Sequence, residues 1–414
     1  MKYRSFTIRF AKYLWRQWRN EITRGGQFLV YAFMVSAFGA VSVQMPIYQV
    51  FCGLLTLWLV TGFVGFVLRP KVSISGNFPE KTTAGESITG EFTLTNISRW
   101  PSYDVAVGLF ELPRSLRQID GDLTVPVLAS GAREKHRVTL QPLKRGLYEL
   151  PKLRAYSMFP FRIVRFGNCE HRCRPLLVLP AFHAAEGIDV PVGSRYQPGG
   201  IALTSNVGES PEYIGNREYV PGDSVRRLDF RSWARLGKPV VREFQEEYYC
   251  RIAMILDTFV PSDRKADPEG FADLEAAVSV TAAVADVLSD GEYIIDLFAA
   301  GPELHVFRAG RHTAHFENLL ELLACVDACR DNPFDVVTPA VNDELGNIST
   351  AICVFLDWDE SREQLARTAL EAGCSLKIIV VRDTETTLPI DDWQATEISQ
   401  YSTAQVRRGS LGVL

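Results

Sequence analysis

No charged residue occurs between Gln27 and Leu68, and Gln44, Met45 and Pro46 break this stretch into two apolar runs, 27–43 and 47–68. A backbone can cross hydrocarbon only if its polar groups are bonded internally, so an uncharged run of roughly 20 residues points to a spanning helix. Two such runs joined by so short a connection predict an antiparallel transmembrane hairpin, 27–70, in which Gly39, Gly53, Gly62 and Gly65 let the helices approach closely. The alternative reading of the same pattern is a buried hairpin of a soluble protein. A cleaved signal peptide fits less well, because the basic region is long and a second apolar run follows directly.

Charge sets the orientation. Residues 1–26 carry Lys2, Arg4, Arg9, Lys12, Arg16, Arg19 and Arg24 against Glu21 alone, while Arg69 and Lys71 follow the second run. By the positive-inside rule both termini, and everything after Pro70, are expected in the cytoplasm. The basic flank interleaves Phe6, Phe10, Leu14, Trp15 and Trp18 with its cations. It reads equally as an interfacial helix on anionic headgroups or as a plain topogenic segment. The whole chain has a formal net charge of -5, so the part beyond the flank is distinctly acidic, which excludes a nucleic-acid-binding body.

Residues 71–180 alternate apolar and polar side chains over short segments, 72–75, 88–95, 105–110, 135–140, 146–150 and 176–179, with turn residues such as Ala84-Gly85-Glu86 between them. This spacing predicts an antiparallel β-sandwich. Residues 181–250 read as a linker and a charged segment. From 251 to 414 the texture changes to strands at 252–256, 293–299, 351–356 and 376–381, with helices at 271–288, 316–329 and 360–372. Apolar strands separated by crossover helices predict an α/β domain with a mostly parallel sheet. The expected fold class is therefore multidomain: a transmembrane helical hairpin, an antiparallel β-sandwich and an α/β domain. Cysteines fall in segments placed in reducing cytosol, so free thiols are expected. Cys169 and Cys173 lack zinc-knuckle spacing, and Cys325 with Cys329 reads as the apolar face of a helix.

The densest chemistry lies in 213–247, YIGNREYVPGDSVRRLDFRSWARLGKPVVREFQEE. Arg217, Glu218, Tyr219, Pro221, Gly222, Asp223, Arg226, Arg227, Asp229, Ala234, Arg235 and Arg242 surround a Pro-Gly-Asp turn, with Phe230, Trp233 and Phe244 interleaved. Without further information this is as readily a solvated, salt-bridged loop. The run resembles the signature of the domain of unknown function 58 family, apart from Phe230 and Trp233, which stand where that family usually has Trp and Ser. The resemblance implies a membrane-anchored protein of bacteria or archaea, here expected in the inner membrane, with a membrane-proximal β-domain, a C-terminal half similar to von Willebrand factor A domains, and a gene often encoded near those of MoxR-type AAA+ ATPases.

In that resemblance Asp257 corresponds to the first aspartate of a metal-ion-dependent adhesion site, Asp-x-Ser-x-Ser, and Asp357 and Asp359 end a neighbouring strand. Here Phe259 and Pro261 stand at the hydroxyl positions and Ser262 is displaced by one. The site at Asp257 and Asp357 is thus degenerate, and no cofactor is expected, Mg²⁺ included. Walker loop, nucleophile elbow and metalloprotease motifs are all missing from the sequence, and the six histidines fall in no ligand spacing. Two functions follow. The first is a non-enzymatic membrane scaffold or adaptor that binds protein partners, a MoxR-type ATPase among them, in assembly or maturation of other proteins. The alternative is a hydrolase with its site in the Arg217–Arg235 cluster. The cluster is expected to be a partly buried clamp in which Arg217, Arg226 and Arg235 pair with Glu218, Asp223 or Asp229.

Overall fold

A computed structural model describes residues 18, 20–39, 46–120, 123–189, 213–221, 223–244, 250–262, 264–289, 293–300, 304–308, 314–332, 334–344, 348–390, 393 and 398–414. Most of the basic flank, the connection 40–45, Gly222 and most of the expected linker lie outside these residues. The chain forms two compact units. One comprises Met1–Phe182 with Ser262–Ala282 and Leu320–Val326; the other comprises His183–Pro261, Ala283–Leu319 and Asp327–Leu414.

The first unit opens with helices α1 (Arg24–Gly39) and α2 (Pro46–Val67). Of the described helices, α2 alone is long and apolar enough to cross a membrane; α1, at 16 residues, falls short of the roughly 20 needed. The helices pack against each other through stacked Phe33 and Phe51, with ring centroids 5.1 Å apart. Glycine serves this pair differently from expectation. Gly39 does meet the other helix, at Ile47, but Gly53 and Gly62 face open space, and a Cβ at Gly65 would lie 2.1 Å from the ring of Phe166. The close approach at Gly65 is therefore to the β-structure.

That β-structure holds β1 (Val72–Asn77), β2 (Lys81–Thr83), β3 (Ile88–Asn96), β4 (Ser102–Leu109), β5 (Leu116–Gln118), β6 (Thr124–Leu128), β7 (Arg133–Pro142), β8 (Gly146–Tyr148), β9 (Leu153–Ser157), β10 (Phe166–His171) and β11 (Leu176–Leu179). Two four-stranded antiparallel sheets, ordered β1-β3-β7-β5 and β10-β9-β4-β6, are joined by a third, β2-β11-β8. Strict alternation in β3 turns Ile88, Phe92 and Leu94 inward, and β7 does the same with Val138 and Leu140. They share one core with Val105, Val107, Leu153 and Ala155 of the facing sheet and with Leu176 and Val178. Strands β2, β5, β6, β9 and β10 were not legible, being short or carrying charge on the outward face.

The helices are strapped to this unit without slack. Ile22 bridges Val164, the Thr23 amide and hydroxyl both donate to the Ile163 carbonyl, at 3.0 and 3.1 Å, and the Arg165 amide donates to the Glu21 carbonyl at 2.7 Å. Arg154 forks onto Glu21 at 2.8 and 3.1 Å while its Nε donates to the Gly167 carbonyl. A second polar contact lies deeper in the same unit. Arg145, 2% exposed, donates to the carbonyls of Leu323 and Val326 at 2.8 and 2.7 Å and pairs with Glu275.

The second unit contains β12 (Tyr213–Glu218), α3 (Phe230–Leu236) and β13 (Val240–Phe244), then β14 (Cys250–Leu256). Helix α4 (Ala272–Ser289) gives its first part to the other unit. There follow β15 (Tyr293–Ala300), β16 (Leu304–Arg308), α5 (Ala314–Cys325), which from Leu320 onward belongs to the first unit, α6 (Phe334–Glu344), β17 (Thr350–Phe355), α7 (Glu360–Glu371), β18 (Ser375–Val381), β19 (Ile398–Tyr401) and α8 (Thr403–Arg408). Six strands form one sheet, β16-β15-β14-β17-β18-β19, parallel except for β16. Every residue of β17 is buried, as befits a central strand covered on both faces. The helix expected at 316–329 stops at Cys325, so Cys329 lies beyond it and bridges Phe259 instead. The described cysteines form no disulfide.

Candidate functional site

The sheet order places the reversal of direction at β14: the chain moves first to β15 on one side and later returns to β17 on the other. Ligands of open α/β sheets sit at such a switch point, beyond the carboxyl ends of the strands. Asp257 stands there at the end of β14, and Asp357 at the end of β17.

Asp257 is 1% exposed, a fully buried carboxylate. Its Oδ1 accepts from the Phe259 amide at 2.9 Å; its Oδ2 accepts from the Leu356 amide at 2.9 Å and from Arg362 Nε and Nη2 at 2.8 and 2.6 Å. Arg362 is itself buried, lies 5.0 Å over the ring of Phe334, and also pairs with Asp359, the N-cap of α7. The other carboxylates are equally committed. Asp357 accepts from the amides of Trp358 and Thr387 at 2.8 and 3.0 Å and from the Thr387 hydroxyl at 2.7 Å, and forms an ion pair with Arg382 at 2.7 Å. The loop after β14 is tied down by reciprocal bonds, Val260 amide to Cys329 carbonyl at 2.9 Å and Cys329 amide to Thr258 carbonyl at 2.8 Å.

These residues do not fit a divalent cation. The oxygens such an ion would need already accept hydrogen bonds, and a fixed guanidinium supplies the positive charge in its place. Among the described residues no group of three or more His, Cys, Asp or Glu is arranged to hold a metal. Calorimetric titration of the full-length chain in detergent is expected to detect no micromolar Mg²⁺ binding. Binding in that range that Asp257→Ala abolishes would overturn this assignment.

Sequence reasoning missed Arg362, although a signal exists. In α7 the buried residues are Arg362, Leu365, Ala366 and Ala369, so the arginine falls in register with an apolar stripe. A cation there requires a buried counter-charge.

The charged segment is folded, not a loop: β12 and β13 pair antiparallel and enclose a short 3-10 turn at Val225–Arg227 and helix α3. Arg217 forks onto Asp223 at 2.8 and 2.7 Å, and the Val220 amide donates to Asp223 at 2.8 Å. Asp229 caps α3, accepting from the amides of Arg231 and Ser232, and its other oxygen accepts from Asn216 at 3.1 Å and from the Ser232 hydroxyl at 2.7 Å. Lys238 pairs with Glu218 at 2.9 Å, and Arg242 lies 3.6 Å from Asp229. The side chains of Arg226, Arg227 and Arg235 are exposed and make no ion pair or hydrogen bond to a described residue. The cluster is thus a surface feature with two local locks, and the expected partners of Arg226 and Arg235 do not form. Tyr219 is half-buried; Pro221 and Ala234 are exposed.

Hydrogen bonds from Ser232 and Asn216 hold the Asp229 carboxyl far below the usual carboxylate range, and the Arg217 bond lowers that of Asp223. A group with a depressed folded pKa contributes stability above its unfolded pKa and loses it only as pH falls through the folded value. The hairpin is therefore expected to keep both locks through about pH 4, near the ordinary aspartate value, and to open in stronger acid. Amide shifts of Val220 and Ser232 report this; movement between pH 6 and 5 would contradict it. Asp229→Ala is expected to fray α3, read as lost exchange protection at Ser232.

Residues 215–398 match the family described as protein of unknown function DUF58. An uncharacterized protein YeaD of Bacillus subtilis is 27% identical over 161 residues, which is 38% of this chain and 37% of that protein. The chain therefore spans little more than a third of that relative's length. Among solved structures, the CARDB domain of a Pyrococcus furiosus protein aligns with 27% of this chain and 95% of that domain at 10% identity and a TM-score of 0.18. The alpha-2-macroglobulin of E. coli aligns with 73% of this chain and 16% of that one at 11% identity and a TM-score of 0.21. At such TM-scores neither likeness bears on the fold.

Proposed function

We propose that this chain is a membrane-anchored, non-enzymatic scaffold or adaptor. It binds protein partners and works with a MoxR-type AAA+ ATPase in assembly or maturation of other proteins. In this reading α1 and α2 form a two-pass anchor in the inner membrane with both termini and the folded units cytoplasmic, since Arg24, Arg69 and Lys71 stand at the open end of the helix pair. The second unit is read as a von Willebrand factor A-like domain whose adhesion-type metal position has been taken over by Arg362.

The observation that carries the proposal is the closed switch point. Asp257 and Arg362 are both buried and bonded to each other, so the place where an α/β enzyme would hold its ligand is filled by the protein's own side chains. The hydrolase reading of the Arg217–Arg235 cluster is weakened by the same kind of commitment: Asp223 and Asp229 are held ionised and bonded, which removes them as proton donors near neutral pH. Affinity purification of the full-length chain from solubilised membranes, with and without ATP, is the test. Nucleotide-dependent co-purification of an AAA+ ATPase is expected. Recovery of the chain alone under both conditions, or hydrolytic turnover lost on Asp229→Asn, would refute the reading.

A further inference from the structure

Helix α3 is built the wrong way round for a surface helix. At 3.6 residues per turn Phe230, Trp233 and Leu236 fall on one side, and an apolar stripe normally turns inward. Here these three are 65%, 37% and 59% exposed, with Phe230 and Trp233 stacked at 6.0 Å. The cause is local: Ser232 bonds to Asn216 and Asp229 at 2.8 and 2.7 Å, which registers the polar side of the helix against the strand and leaves the apolar side open. Val220 and Val225 of the same hairpin are also exposed, at 56% and 66%.

The cations around this face are equally unspent. Arg217, Lys238 and Arg242 each lie beside a carboxylate, whereas the guanidinium groups of Arg226, Arg227, Arg231 and Arg235 are exposed and have no partner among the described residues. From Tyr213 to Phe244 seven cations face four carboxylates, on a chain whose formal net charge is -5. The hairpin is a basic, aromatic island on an acidic protein.

We propose that this face, centred on Phe230 and Trp233 and rimmed by Arg231 and Arg235, docks an acidic segment of a protein partner that presents carboxylates around an apolar groove. Guanidinium forks match carboxylates in bidentate geometry. Tryptophan and arginine anchors with an apolar centre and charged rim are what protein interfaces concentrate. An anionic bilayer would offer similar charge, but the chain as a whole is acidic, with a formal net charge of -5, and like charge opposes its approach to such a surface. The inference rests on the scaffold reading and names the surface and the partner chemistry for it.

The test places p-benzoylphenylalanine at position 230 or 233 of the full-length chain in its own membranes, with position 147 of β8, where Leu147 is 61% exposed, as control. Photolysis is expected to link both hairpin positions, and not 147, to a protein whose linked peptide is rich in Asp and Glu. Combined Arg231→Glu and Arg235→Glu should lower the yield by about tenfold, and reversing the mapped carboxylates should restore it. Neither arginine side chain takes part in the Asp229, Asn216 and Ser232 bonds, and the Arg231 amide that caps onto Asp229 is backbone, so unchanged circular dichroism is expected in this variant. Links to lipid alone, to a neutral or basic segment, or equal yields in the double variant would overturn the proposal. If affinity purification still recovers a partner while 230 and 233 link to none, the docking surface is wrong and the scaffold reading stands; if no partner is recovered at all, both fall.

Discussion

Asp257→Ala is expected to destabilise the second unit by about 3–5 kcal/mol, the range for breaking a buried ion pair by removing one partner. The loss has three parts. Arg362, 2% exposed, keeps Asp359 as its one remaining carboxylate partner, and the amides of Phe259 and Leu356 lose their acceptor. The reverse change, Arg362→Met, leaves a buried carboxylate with two amide donors and should cost a similar amount. Combining Asp257→Asn with Arg362→Met removes both charges while roughly preserving volume, and is expected to be much closer to the parent than either single charge deletion. Chemical denaturation followed by circular dichroism checks all three. Near-additive losses in the double variant would mean that the two side chains act independently, contrary to their 2.6 Å separation.

Arg145→Met is the second large effect, again about 3–5 kcal/mol, in the first unit. One guanidinium there serves two helix-end carbonyls, Leu323 and Val326, and the Glu275 carboxylate. Methionine fills the stem but leaves these acceptors without their donor. Arg145→Lys should rescue little, since a single ammonium cannot reproduce the fork. Limited proteolysis distinguishes the site of damage: cleavage should appear first within 262–282 and 320–326, the segments this arginine holds. Unchanged stability in Arg145→Met would show that water serves these acceptors as well as the guanidinium does.

The parts of the fold that announce themselves in sequence are those with a clear period. The alternation in 88–95 and the apolar runs at 252–256 and 376–381 gave strands close to those observed, because one or both faces of each are buried along the whole length. Strands such as Leu116–Gln118 and Lys81–Thr83 span three residues each, too short for any period to register. Arg145 was illegible for a different reason: Lys144-Arg145-Gly146 has the composition of an exposed turn, and only tertiary structure brings the helix ends over it. At the candidate site the sequence located Asp257 and Asp357 correctly at strand ends, and the missing hydroxyls at 259 and 261 argued against a metal. It did not name Arg362 as the partner of Asp257, since the two lie 105 positions apart. In the hairpin the turn was readable, but the outward aromatic face was not, because its orientation follows from three polar contacts among Asn216, Asp229 and Ser232.

The strap between the first helices and the β-unit has a mechanical consequence. A tether of a few free residues would let the folded body swing through most of a hemisphere. Here backbone bonds at Thr23 and Arg165, the Glu21–Arg154 fork and the Gly65–Phe166 contact leave no free hinge. The β-unit therefore behaves as a rigid bracket on α1 and α2, and any load applied to it reaches the helix pair as a torque and not as slack taken up in a linker.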